Sequence, residues 1–458
     1  MTRLRYDALL ATDSHGSEIE AESLNEDGGM TLPKVLRWFW IGSLVAFGLM
    51  LLVNYLEYLA GFPWNARFPL GDTLFGDLLE FVPASQSAHM AESFRATASS
   101  MVAYPPFGAV LYSVMYSFGH PVEFYLGIFA LWLGVAIGGI RRLLITLGIR
   151  PITAILFPLT LAAVSFPIEG LLQRGNIEIF VWIFAAAGTW AFLRDRDKTA
   201  AVLWGLAASI KLFPIILLVL FVAKPRFRAL LLGLTTFVIS SVLSMVYLGP
   251  SVKLAFERSL RNVFGYQTYR ASELSVHEFA ANHSAFIPIR FLAMTMGRPS
   301  VNVTNLYYLF GGLLFVAVFF GKVRKMPVAN QVLAVTTFMV LMPQVSYFYT
   351  LVHLYVPFLM LMVLAIRAER QGVRIEGLRS AILLFVPIFA SFSIFTYSRV
   401  YLFGGLIQGL MLMILFLCAL QYPFALPPGG EKTGAETEVA VQTLEQRLAS
   451  ARAGAGVS

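Results

Sequence analysis

The chain has 458 residues, of which 58% are hydrophobic and only 13% are charged. Soluble domains carry about 25% charged residues, so this composition leaves too little polar surface for a water-soluble globule. The net charge of +8 does not indicate a nucleic-acid partner, because most Lys and Arg residues lie in clusters between apolar segments, where they set membrane topology. The single cysteine, Cys418, excludes an intrachain disulfide, and no metal-binding spacing surrounds it.

Apolar runs of spanning length recur along the chain between short charged clusters, which indicates helices that cross a membrane. We therefore predict an all-α, polytopic integral membrane bundle of about twelve spanning segments. The membrane domain is predicted at 34–426, between polar tails at 1–33 and 427–458. Both tails are predicted to be mobile and cytoplasmic, and the acidic N-terminal tail does not resemble a cleavable signal peptide.

In chain order, the first span is predicted at 35–59, and a long extracytoplasmic loop follows at 61–104. Between 105 and 140, the break Gly119–His120–Pro121 separates a first part that is re-entrant or interfacial from 122–140, which crosses inward. A second long extracytoplasmic loop is predicted at 249–303. The other spans are placed near 151–166, 177–193, 229–248, 304–320, 328–343, 348–366, 378–396 and 400–420.

Clusters of basic residues predict the orientation of these spans, because loops rich in Lys and Arg stay in the cytoplasm. The inside clusters are Arg141/Arg142/Arg150, Arg194/Arg196/Lys198, Lys224/Arg226/Arg228, Lys322/Arg324/Lys325 and Arg367/Arg370/Arg374/Arg379. The second and third clusters can share one side only if 199–223 forms two short helices with a tip near Lys211–Phe213–Pro214. The alternative is one span with Lys211 buried at mid-membrane, which costs a few kcal/mol unless the charge is paired.

Six short segments follow one another in an order that resembles a known family. They are Asp77–Leu78–Leu79–Glu80–Phe81, Tyr104–Pro105–Pro106, Leu172–Gln173–Arg174–Gly175–Asn176–Ile177–Glu178, the stretch from Gly205 to Pro214, Asn282–His283–Ser284 with Arg290, and Pro343–Gln344–Val345–Ser346 with Tyr347 and His353. Together they resemble glycosyltransferase family 87, polyprenyl-phosphate-sugar-dependent enzymes of the GT-C class that include bacterial α-mannosyltransferases. The resemblance implies a GT-C-like fold in a prokaryotic inner membrane. It also implies inverting transfer of a hexose, with mannose the first candidate, to an extracytoplasmic lipid, glycan or polymer acceptor.

An inverting transfer needs one base near the acceptor hydroxyl. Asp77 is the candidate base, because it lies in the first outside loop among apolar neighbours, where partial burial makes a carboxylate more basic. Asp72 and Glu80 are the alternative bases. Asp77 could instead be a helix cap or a solvated residue.

The transfer also needs cations or hydrogen-bond donors that hold the leaving phosphate. Lys211, at the tip of the predicted hairpin, is the first candidate, although a lysine there could also snorkel to lipid headgroups. Arg174 could bind the phosphate or lie in an ordinary turn shaped by Gly175. His353 could contact the phosphate or be satisfied by a backbone carbonyl.

The remaining candidates would bind substrate, and they are Tyr104, Gln173, Asn176, Asn282, His283, Ser284 and Arg290. We expect no cofactor and no metal, and the expected partners are the lipid donor and the acceptor. The rival interpretations are a secondary transporter or flippase of lipid-linked sugars, for which twelve spans and broken helices also fit, and a membrane scaffold without chemistry. No internal repeat relates the two halves of the chain, which disfavours the transporter.

Overall fold

The computed structural model describes residues 30–59, 74–79, 104–248, 251–261, 282–297, 301–390 and 404–427. Within these residues every regular element is helical, and the extended pairing consists of two isolated bridges. The predicted tails, apart from 30–33 and 427, lie outside the described residues, as do most of the loops predicted at 61–104 and 249–303. The domain boundaries therefore stay predictions.

Fifteen helices are labelled here in chain order. They are α1 Lys34–Leu59, α2 Pro106–Ser117, α3 Pro121–Thr146, α4 Pro151–Val164, α5 Phe166–Arg174, α6 Glu178–Leu193, α7 Asp197–Ile210, α8 Leu220–Ala223, α9 Phe227–Leu248, α10 Phe286–Thr295, α11 Val301–Gly321, α12 Val328–Leu341, α13 Tyr355–Arg370, α14 Leu378–Ala390 and α15 Gly404–Gln421. A 3₁₀-helix, Phe213–Val219, leads into α8, and another, Phe348–Leu354, leads into α13.

Five of the described helical stretches are long and apolar enough to cross a membrane: Lys34–Val53, α3, α9, Asn302–Lys325 and Phe348–Arg370. Helices α4 and α5 meet the same criterion together, as a pair bent by 57°. Other apolar helices, such as α6 and α12, have only 10–17 residues, which is short for a hydrocarbon core of about 30 Å. The helical membrane architecture is confirmed, but the predicted count of about twelve spans is not.

The turns that carry the basic clusters lie together at one end of the bundle. Arg370, which ends α13, donates to the carbonyl of Leu147, just after α3. Arg226, between α8 and α9, pairs with Asp195 and Asp197, between α6 and α7. We call these turns, 147–150, 194–197, 224–226 and 370–377, the basic end.

The chain between α7 and α8 turns back, as the charge pattern predicts. Helix α7 ends at Ile210, Lys211 is extended with φ −136° and ψ 137°, and the 3₁₀-helix with Pro214 in its first turn follows at once. This 3₁₀-helix packs along α7. At standard rises, α7 is about 21 Å long and the returning segment about 20 Å. The interpretation of 199–223 as one straight span is therefore wrong.

Helix α2 lies at the end of the bundle away from the basic end. Tyr116, in its last turn, donates to the carbonyl of Leu78, and Tyr104, just before it, lies against Asn176 at the start of α6. Gly119 then takes a left-handed φ of +74°, and α3 begins at Pro121, as the break in the sequence predicts. Both ends of α2 thus lie at one end of the bundle, which fits the predicted re-entrant or interfacial segment.

Helix α4 covers most of the span predicted near 151–166, but α5, which is bent from it by 57°, was not predicted. Ser165 is extended, and its hydroxyl accepts a hydrogen bond of 3.3 Å from the backbone N–H of Ile168. Pro167 occupies the first turn of α5, where its missing N–H costs nothing. A serine cap followed by proline starts a new helix, so the chain changes direction here.

Tight packing fixes α7 inside the bundle. A Cβ atom at Gly205 would lie 2.5 Å from the carbonyl oxygen of Gly233 on α9, so only a glycine permits this close crossing. On another face of α7, Trp204 lies against the rings of Phe192 and Phe221, with centroids 5.3 and 5.2 Å away. This packing positions Lys211, the residue that follows α7.

Candidate active site

Asn176 joins opposite charges at the end of the bundle away from the basic end. The residue is buried and lies between α5 and α6. Its amide nitrogen donates to the Asp77 carboxylate at 2.5 Å, and its amide oxygen accepts from the Lys211 ammonium at 3.0 Å. The same oxygen accepts from the backbone N–H of Glu178 at 2.9 Å. One amide therefore links a carboxylate and an ammonium.

Asp77 reaches Asn176 from a helical turn, Gly76–Leu79, that is fastened to the end of α5. The Phe75 N–H donates to the carbonyl of Gln173 at 2.6 Å, and Arg174 forms an ion pair with the Asp77 carboxylate. Phe75 has a φ of +58°, a left-handed conformation that is costly for a bulky side chain. Strain of this kind is concentrated at functional sites.

Lys211, Glu178 and His353 form a chain of polar contacts on the other side of Asn176. The Lys211 ammonium lies 2.6 Å from one oxygen of Glu178, and His353 Nε2 lies 2.6 Å from the other. The Glu178 side chain has no exposed surface, and that of Lys211 is 13% exposed. Buried carboxylates and ammonium groups persist when they are paired, as they are here.

Two tyrosines enclose the ammonium group of Lys211. Its nitrogen lies 5.4 Å from the ring centre of Tyr104 and 5.3 Å from that of Tyr349, within range of a cation–π interaction. Both hydroxyls lie 3.4 Å from the amide nitrogen of Asn176. Burial, reinforced by the Asp77 carboxylate, raises the pKa of Tyr104 well above its ordinary value of about 10. Tyr104 therefore stays a neutral phenol.

The polar side chains predicted from the later part of the chain form a second cluster. Asn282 donates to the carbonyl of Gln344 at 3.2 Å and accepts at 3.0 Å from the N–H groups of Ser346 and Ser284. His283 Nε2 lies 3.0 Å from the Ser346 hydroxyl. The Asn282 side chain thus takes the place of backbone hydrogen-bond partners, and it holds residues 282–284 against residues 344–347.

Ser284 and Arg290 belong to the same region. The Ser284 hydroxyl accepts from the N–H of Phe286 at 3.0 Å, so it caps α10. Arg290 is buried on α10. In the hydrogen bonds that the structure describes, none of Asn282, His283 and Ser284 is joined to Asp77, Asn176 or Lys211.

The structure therefore revises several of the predicted roles. Lys211 does not lie at an open membrane surface, because it is paired with Glu178. Arg174 is paired with Asp77, and His353 contacts Glu178 instead of a backbone carbonyl. The backbone carbonyl of Gln173 accepts a hydrogen bond from the Phe75 N–H. The alternative bases, Asp72 and Glu80, lie outside the described residues.

Two residues of this site were not predicted to act in it. Glu178 was visible only as a neighbour of Asn176 in the sequence, and Tyr349 carried no signal beyond its place near Ser346 and His353. Among the described residues, no group of three or more His, Cys, Asp and Glu residues could hold a metal ion. The expected absence of a metal stays a prediction.

These features define a helical membrane protein with a buried cluster of acidic and basic side chains at one end of its bundle. Comparison with known families gives a more specific result. The sequence model of glycosyltransferase family 87 matches residues 103–346, more than half of the chain. The chain belongs to glycosyltransferase family 87 and is a membrane glycosyltransferase. No curated protein and no solved structure matches it. The matched region includes Asn176, Glu178 and Lys211, whereas Asp77 and His353 lie outside it.

Proposed function

We propose that this glycosyltransferase takes a hexose, with mannose the first candidate, from a polyprenyl-phosphate-sugar and transfers it with inversion to an acceptor hydroxyl. The acceptor would be a lipid, glycan or polymer. The observation that carries the proposal is that Asn176 holds the Asp77 carboxylate at 2.5 Å and the Lys211 ammonium at 3.0 Å. Transfer from a phosphodiester needs a base for the acceptor and a cation for the leaving phosphate, and both are adjacent here.

In the proposed reaction, the acceptor oxygen forms a bond to C1 of the sugar while the bond from C1 to the phosphate oxygen breaks. The acceptor proton passes to the Asp77 carboxylate, and the electron pair of the broken bond stays on the phosphate. Lys211 stabilises the negative charge that the phosphate gains. Arg174 orients the carboxylate through its ion pair, and the neutral hydroxyls of Tyr104 and Tyr349 can donate hydrogen bonds.

The depth of the site supports a donor whose phosphate is carried by a lipid. Helix α6 has 16 residues and α7 has 14, so the site lies about 21–24 Å along these helices from the basic end. If the basic end lies at one membrane surface, a hydrocarbon core of about 30 Å places the site within the opposite leaflet. From the positive-inside rule we infer that both termini lie in the cytoplasm and that the site lies in the extracytoplasmic half of the inner membrane.

The test is sugar transfer by the purified protein in liposomes, with radiolabelled polyprenyl-phosphate mannose and a membrane extract as acceptor. Asp77→Asn keeps the size of the side chain but removes the base, so we expect transfer to fall by about 10²–10⁴-fold. The matched control is Asp195→Asn, which alters another Arg-paired aspartate at the basic end and should leave transfer within about threefold of wild type.

The other outcomes separate the alternatives. Full transfer by Asp77→Asn would contradict Asp77 as the base and direct attention to Asp72 or Glu80. Binding of donors without transfer, across a panel of sugars, would contradict the reaction and favour the flippase or transporter. Thermal unfolding of each variant shows whether a loss of transfer reflects a loss of fold.

A further inference from the structure

Lys211 is already paired before any phosphate arrives. Its ammonium lies 2.6 Å from Glu178 and 3.0 Å from Asn176. Glu178 is fully buried, and the described polar contacts of its carboxylate are with Lys211 and His353. A donor phosphate that binds Lys211 must therefore share or take the counter-ion of a buried carboxylate.

The charges around Glu178 provide no surplus positive charge to balance another anion. With His353 neutral, the charges of Lys211 and Glu178 cancel. The Asp77–Arg174 pair, joined to them through Asn176, is also neutral by itself. A phosphodiester carries one negative charge, so its binding to Lys211 would leave one uncompensated negative charge in a buried site. Such a charge costs several kcal/mol.

His353 is placed to supply the missing positive charge. Its Nε2 lies 2.6 Å from Glu178, so in the neutral ring Nε2 carries the proton and Nδ1 is the free acceptor. The described residues offer Nδ1 no hydrogen-bond partner. His353 also lines a small cavity, together with Thr189 and Thr336, which has room for about one water molecule.

We propose that binding of the lipid phosphodiester draws one proton into the site, as Lys211 moves from Glu178 to the phosphate and His353 becomes the cation paired with Glu178. The proton comes from solvent and binds Nδ1, so the total charge of the site is unchanged. The inference rests on the proposed donor class, and it makes Glu178 and His353 positioning residues. Among the described residues, the charged groups that face His353 are Glu178 and, behind it, Lys211. The phenols of Tyr104 and Tyr349 surround Lys211.

Calorimetric titration tests the proposal. The ligand is farnesyl methyl phosphate, a phosphodiester with one fixed negative charge and no sugar to transfer. It is added to the full chain in detergent near pH 8, in buffers with different enthalpies of ionisation. We expect uptake of about one proton per bound ligand, and an affinity that falls about tenfold for each pH unit over the range in which this uptake occurs.

His353→Gln keeps a hydrogen-bond donor but cannot gain a charge. We expect it to bind the ligand more weakly, with no proton uptake and no pH dependence. The matched control is His120→Gln, which alters an exposed histidine beside Glu123 and should keep the full uptake. The pH dependence of wild-type binding alone supplies the same test if His353→Gln does not fold.

Two results would overturn the inference while leaving the donor class intact. They are ligand binding by wild type without proton uptake, and equal uptake by wild type and His353→Gln. The conclusion is different if wild type does not bind the phosphodiester, or if it binds neutral farnesol equally well. That outcome would contradict the proposed lipid-phosphate donor, and the inference with it.

Discussion

Lys211→Met should destabilise the protein strongly, and Glu178→Gln should restore most of the lost stability. Among the described residues, the single change leaves Glu178, which has no exposed surface, with His353 as its side-chain partner, so the cost is greatest at high pH, where His353 cannot gain a proton to compensate the carboxylate. Removing one member of a buried ion pair costs about 3–5 kcal/mol. Replacing both members with neutral groups is often nearly neutral, so the double variant should unfold within about 1 kcal/mol of wild type. Adding Glu178→Gln to Lys211→Met should therefore recover about 2–4 kcal/mol, and the coupling energy exceeds this recovery by the cost of Glu178→Gln alone.

The coupling is measured by SDS-induced unfolding of wild type, both single variants and the double variant. A control cycle uses Arg226→Met and Asp197→Asn, an ion pair at the basic end with side chains 27% and 26% exposed. Its coupling should be only about 0.2–1 kcal/mol, because solvent screens it. If the two changes at Lys211 and Glu178 add within about 0.5 kcal/mol, the pair does not act as a buried unit and the reasoning fails. Transfer activity should not return in the double variant, because the proposed phosphate-binding cation is gone.

Two further predictions concern the segments that hold the site. Gly175 has a φ of +62°, and a Cβ there would lie 3.0 Å from the Cβ of Leu78. Gly175→Ala should cost about 1–3 kcal/mol and reduce transfer, because it displaces the turn that carries Asp77. Gly372→Ala is the control for thermal unfolding, since it has a φ of +63° but open space around it; equal losses would contradict the packing argument. Asn282→Ala should cost about 2–3 kcal/mol, because two backbone N–H groups and one carbonyl lose their partner; weaker substrate binding at unchanged stability would instead make Asn282 a ligand of the sugar.

The chain breaks were predictable from sequence because each has a local cause. Pro214 lies three residues after Lys211 within an apolar stretch, and the positive-inside rule requires the chain to turn back there. Gly119 and Pro121 cannot continue one helix without cost, so the end of α2 was also readable. Helix α5 was not predicted, although its start has a local signal too, a serine cap before proline.

The partners within the site were not predictable, because they are far apart in the chain. Glu178 and His353 are 175 residues apart, and Asn176 and Tyr349 are 173 apart. Sequence reasoning placed Asp77, Lys211, Arg174 and His353 in one site by their charge, their predicted side of the membrane and the resemblance of their segments to the family's motifs. It treated each cation as free for a phosphate, whereas a buried cation needs a counter-ion within the fold.

The choice of side chain at position 176 follows from this charge pattern. The group there must donate to Asp77 and accept from Lys211 at the same time. An aspartate could accept from Lys211 but would repel Asp77, and an apolar residue would remove one hydrogen bond from each of these charges in a buried site. An asparagine amide offers a donor and an acceptor without charge. It can therefore hold the proposed base and the proposed phosphate-binding cation close together without neutralising either, which is the arrangement that transfer from a lipid phosphate needs.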